Sequence, residues 1–145
     1  MIAADLALIS AGLFLLVGML TGVWKYSHIM KSADATAPMY VDIAHRAALM
    51  YSFALIVLML LAQRSVWPNV VNLLAVLANL LFFASAVFGY VVHGFLQDTD
   101  NQLRQPHKLG KGEVPRGAIK GYMWGLIAAE IGGTVVLVSG AIVGV

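Results

Sequence analysis

Four long apolar runs decide what this chain can become. They lie near residues 2–24, 43–62, 69–95 and 118–144. Each is long enough for the roughly 20 helical residues that cross a hydrocarbon core of about 30 Å. In hydrocarbon every backbone polar group needs a partner within the protein, which leaves only helices and closed barrels as spanning solutions. Barrel strands alternate apolar and polar residues, whereas Leu6 to Leu20 and Val70 to Val92 are nearly continuous apolar runs. The chain therefore reads as an all-α membrane protein: one domain of four transmembrane helices, a bundle in antiparallel up-down-up-down order. At 61% hydrophobic and 11% charged residues, it is too apolar for a soluble domain.

The first run begins at Met1-Ile2-Ala3-Ala4-Asp5 with no basic segment before it and no clear small-residue cleavage site after it, so it is expected to be retained as a helix. The sequence has no cysteine, which excludes disulfides and thiolate ligation of haem or zinc. Lys25, Lys31 and Arg46 flank the first connection, and Arg104, Lys108, Lys111, Arg116 and Lys120 flank the third; Arg64 alone lies on the opposite side. The positive-inside rule then makes loops 25–42 and 96–117 cytoplasmic and turns both termini outward, as in a bacterial-type inner membrane. Trp24, Tyr26, Tyr40, Tyr122 and Trp124 are expected to form an aromatic belt at that interface. A net charge of +2 follows from this topology and gives no sign of nucleic-acid binding.

Small residues mark where helices touch. Gly117, Gly121 and Gly125 recur at intervals of four, followed on one face by Ala128 or Ala129 and Gly132, while the first helix carries Gly18 and Gly22. In lipid such stripes let backbones approach closely. Four helices enclose little volume, so a homo-oligomer is expected.

The chemistry concentrates near the cytoplasmic ends. His45 opens the second helix in Asp42-Ile43-Ala44-His45-Arg46, and Tyr90 and His93 close the third, three apart on one face. The topology allows all three to converge, with Asp42 accepting from the second ring nitrogen of His45, a common way to orient a metal-bound imidazole. An ordinary interfacial hydrogen bond explains any one of these histidines equally well. His28 and His107 read as solvated loop residues. Glu130 lies twelve residues into the fourth span and needs a proton, water or a partner there; Asn72, Asn79 and Ser85 are the candidates.

From these residues the chain resembles the styrene oxide isomerases, small four-helix membrane proteins. Ala44-His45 and the apolar run behind it look like the segment carrying that family's haem-ligating histidine. The family's active-site tyrosine follows 45 residues later, and here 90 − 45 gives 45, with Phe95 five residues further on. The resemblance implies a trimer holding haem b near each protomer interface, with His45 as axial ligand and Asp42, Arg46 and His93 around the cofactor. It also implies that ferric iron acts as a Lewis acid on an apolar epoxide, giving an aldehyde, with Tyr90 positioning the oxygen. Two features depart from the family pattern. Tyr51 stands where the family has an asparagine six residues after the histidine, and Phe82, Ala84 and Ala86 replace polar residues ahead of the tyrosine. Two other classes stay open: a haem protein for electron transfer or gas sensing with His93 as sixth ligand, and a cofactor-free transporter or scaffold built on Glu130.

Overall fold

The computed structural model describes residues 2–145. Four helices carry the fold: α1 (Ile2–Ile29), α2 (Met39–Arg64), α3 (Asn69–Leu96) and α4 (Arg116–Val143), with a short hairpin of β1 (Lys108–Leu109) and β2 (Gly112–Glu113) before α4. All four helices are long and apolar enough to cross a membrane. Contacts rise along one helix as they fall along its neighbour. His45 lies against Gly22 and Leu49 against Gly18; Tyr40 lies against His93 and Tyr51 stacks on Phe83; Ser85 meets Tyr122 and Asn79 meets Thr134. Each consecutive pair is therefore antiparallel.

Proline sets three of the four starts. Pro38, Pro68 and Pro115 directly precede α2, α3 and α4 with φ of −54°, −52° and −57°. A ring-fixed φ near the helical value, with no N–H to leave unpaired, suits this position. Each proline carbonyl accepts the first helical amides, as from Val41 and Asp42 onto Pro38. The α3 helix stops where Gln97 turns left-handed, its N–H bonded to the His93 carbonyl.

Two helix ends differ from the expectation. The first helix continues past residue 24 to Ile29, and α2 begins at Met39 rather than 43. The first connection thereby shrinks to nine residues, 30–38. A salt bridge from Lys25 to Asp42 holds the two extra turns together.

Packing follows the small residues. Ala3, Ala7, Ala11, Phe14 and Gly18 share the buried face of α1 and meet Ala44, Ala48, Ser52 and Leu55 of α2. A Cβ at Gly18 would stand 2.5 Å from Leu49 Cδ2, and one at Gly22 2.9 Å from His45 Cε1. On α4 the expected stripe divides. Gly125 meets Phe82, but Gly117, Gly121 and Gly132 face open space; the contact to α3 is made by Gly133 instead. A Cβ at Gly133 would lie 2.5 Å from Asn79 Nδ2 and 2.7 Å from the Ala75 carbonyl oxygen. Gly133→Ala is therefore expected to destabilise the bundle by about 1–3 kcal/mol. Gly132→Ala, next to it, should stay within roughly 0.5 kcal/mol of wild type. Unfolding of the two variants in detergent, side by side, checks the pair.

Candidate functional site

His45 sits on α2 six residues after its start at Met39, its ring laid against α1. The absent side chain at Gly22 makes room for it. Nδ1 lies 2.7 Å from the Gly18 carbonyl oxygen, which can only accept, so Nδ1 carries the proton. Nε2 therefore holds the lone pair, and among the described residues it meets no hydrogen-bond partner and is not sealed off. Thr21 Oγ1 also donates to Gly18 O, at 3.0 Å. Asp42 does not orient the ring as the spacing predicts. Its two oxygens take Lys25 and Arg46 instead, the latter at 2.9 Å, while the imidazole turns to the Gly18 carbonyl of α1. Arg46 remains largely exposed beside the histidine.

Tyr51 and Tyr90 do come together. Both line a cavity of about 280 Å³ between α2, α3 and α4, with Ser85, Gly89, Tyr122 and Met123. Tyr51 is held by stacking on Phe83 at 4.1 Å and by the edge of Phe14 at 6.3 Å. Tyr90 stacks on Tyr40 at 6.0 Å. Tyr122, expected in the interfacial belt, instead turns into the cavity, with its hydroxyl 2.7 Å from Ser85 Oγ. Tyr40 leaves the belt as well. It is buried, and its hydroxyl accepts from the Gln102 amide.

The expected convergence of His45, Tyr90 and His93 splits in two. Six residues turn a helix through about 600°, so Tyr51 lies roughly 120° around α2 from His45. His45 thus faces α1, and the tyrosine cavity opens on another side. His93 and Tyr90 share the Tyr40 ring as their spacing of three predicts, but His93 Nδ1 bonds Asp98 Oδ1 at 2.7 Å. Burial pushes the Asp98 carboxyl up, yet the hydrogen bonds from His93 and from the Gly110 amide outweigh it and hold the group below its ordinary value.

Two further expectations are corrected. His107 is buried rather than solvated, its Nδ1 donating to the Gln102 carbonyl at 3.1 Å, and His28 is half-buried edge-on to Trp24. None of the three proposed partners reaches Glu130. Asn79 binds Thr134 and the Ala75 carbonyl of its own helix, Asn72 binds the Trp67 carbonyl and Ser85 binds Tyr122. Glu130 Oε1 is left buried without a partner. Among the described residues, no three His, Cys, Asp or Glu side chains cluster closely enough to hold a metal. Sequence reasoning missed Gly18, Gly22 and Ser85 as parts of these sites. The glycines were visible as a stripe, but nothing in a stripe says that a histidine fills it.

Neither family models, curated proteins nor solved structures gave a match to this chain.

Proposed function

We propose that this chain is an integral-membrane haem b protein that isomerises an apolar epoxide to an aldehyde, as its resemblance to the styrene oxide isomerases implies. The observation carrying the proposal is the fixed tautomer of His45. The Gly18 carbonyl accepts a hydrogen bond from Nδ1–H and leaves Nε2 unpartnered, the arrangement that orients metal-bound imidazoles. The donor set fits the group: His45 would hold the iron through Nε2, and exposed Arg46 would meet a carboxylate of the macrocycle. Ferric haem, when bound, supplies a Lewis acid for the epoxide oxygen.

The chain's own residues do the rest. Tyr90 donates its hydroxyl proton in a hydrogen bond to the oxygen, and Tyr51 replaces the family's asparagine as a second donor from the same cavity. Ser85 fixes the Tyr122 hydroxyl beside them. Ala86 and Leu126 line the same space with apolar surface, keeping water from the opened substrate, which then rearranges by an internal hydride shift. Atoms balance without a co-reactant.

Because the His45 ring lies against α1 while Tyr51 and Tyr90 line the cavity among α2, α3 and α4, the site is completed between copies of the chain. Open space at Gly117 and Gly121 gives α4 a face for close helix packing in the trimer. The first and third loops are cytoplasmic by their cations, and the termini lie outside. His93 is engaged by Asp98 and lines a different cavity from Tyr90, which favours a single axial histidine over a paired-histidine cytochrome.

An absorption spectrum of the detergent-purified protein, expressed with haem precursor, tests the proposal. A ferric, five-coordinate, high-spin Soret band is expected. A low-spin bis-histidine spectrum would overturn the isomerase reading, and no Soret band would overturn haem binding altogether.

A further inference from the structure

The fourth helix carries a stripe that stays exposed although its chemistry is ordered. Arg116, Lys120, Trp124, Ile127 and Ile131 follow one another at intervals of four, four, three and four, which keeps them on one side of α4. All five are exposed. Along the helix come two cations, then an indole, then branched aliphatic side chains. Lys120 to Ile131 spans about 16 Å at 1.5 Å per residue, roughly half of the hydrocarbon core. The order is that of one membrane leaflet, from phosphate to acyl chain.

The two cations have no acid of their own. Residues 96–120 hold five cations and three carboxylates. Asp98 is taken by His93, Asp100 by Arg104 at 2.8 Å and Glu113 by Lys108 at 3.1 Å. Glu113 and Arg116 line one neighbouring cavity, yet among the described residues neither Arg116 nor Lys120 forms an ion pair. Both line an open cavity of about 280 Å³ with Trp124 and Ile127. Its loop wall is Leu103, Gln105 and His107, none of them acidic. Unpaired positive charge and apolar surface thus share one site. A soluble acidic partner would meet only the first, whereas an anionic phospholipid meets both.

We infer that Arg116, Lys120 and Trp124 form a site for an anionic phospholipid, its phosphate held by the two cations and an acyl chain laid along Ile127 and Ile131. Gly117 and Gly121 each lie one residue, about 100°, further round α4, so the lipid seats beside the helix packing proposed for the trimer. Neither cation lines the tyrosine cavity, and the site does not depend on haem binding.

Native mass spectrometry of the haem-free full chain, released from detergent after incubation with equimolar phosphatidylglycerol and phosphatidylcholine, tests the site. One phosphatidylglycerol retained per chain is expected, in preference to phosphatidylcholine. Arg116→Gln and Lys120→Gln should each lower that preference about 5-fold, and the double variant about 25-fold, the attraction of one and of two cations at a membrane surface. Lys111→Gln removes an equal charge from the same loop but outside the cavity, and should leave the preference near that of wild type. All three positions are exposed, so the variants should keep the wild-type helical circular dichroism. The site is overturned if wild type shows no preference or if the double variant keeps it. It is overturned equally if Lys111→Gln lowers the preference as much as either single change, which would mark a diffuse positive surface. Displacement of the lipid by inorganic phosphate would make a free anion the ligand, and lipid found only on monomers would mean that a second copy covers the stripe; either result overturns the site.

Discussion

His45→Ala protein, expressed with haem precursor and purified beside wild type, is expected to carry no Soret band and no epoxide-isomerising activity. The alanine removes the only imidazole laid against Gly18 and Gly22, while the small-residue contact of α1 with α2 persists through Ala7, Ala11, Ala44 and Ala48. The helical circular dichroism should therefore be that of wild type. Added imidazole should restore part of the Soret band, because the variant leaves a ring-sized gap beside the Gly18 carbonyl. Gly22→Val reaches the same end differently. A Cβ there already stands 2.9 Å from Cε1 of the ring, so a branched side chain displaces the histidine and haem retention falls although His45 is present. Haem content per chain reads both effects.

Tyr90→Phe is expected to keep the haem spectrum and lose turnover. Removing one hydrogen-bond donor to a developing oxyanion costs about 10²–10³ in kcat, and the phenyl ring still stacks on Tyr40. Tyr51→Phe should fall in the same direction. If each site draws His45 from one copy and Tyr90 from another, co-assembly of His45→Ala chains with Tyr90→Phe chains regenerates intact sites. Activity should then appear in the mixture although neither variant has it alone. A mixture as inactive as its components would place both residues in one chain's site.

The spans were legible because hydrocarbon imposes a blunt requirement, about 20 apolar residues without interruption. Helix ends were less so. Lys25 to His28 reads as polar loop, yet an α-helix continues through it once outside the hydrocarbon, steadied by the Lys25–Asp42 bridge. At Met39 the start was recoverable, since Pro38 directly before it is a helix-start signal. Antiparallel α2 and α3 set Tyr51 beside Phe83 and Tyr40 beside His93, but neither the cavity that Tyr51 and Tyr90 share nor the direction of the His45 ring follows from that. The ring turned on a carbonyl of α1 and a missing side chain at Gly22, and a backbone acceptor leaves no mark in a sequence. Asp42 looked the better acceptor only because it was close along the chain. His107 reads as solvated for a related reason. Gly110 and Gly112 announce a hairpin, but the Asp98 carboxylate that pins it lies twelve residues earlier. Glu130 shows the limit most plainly, because its expected partners bond to backbone carbonyls or to other side chains, and Asn72 Oδ1 is itself left buried without a partner.

The most direct test is product analysis after incubating the haem-loaded wild-type protein, in membranes or detergent, with an aryl epoxide. The corresponding aldehyde is expected, formed without added oxidant or reductant and absent from His45→Ala samples. Unchanged epoxide with haem fully bound, or diol as the sole product, would contradict it.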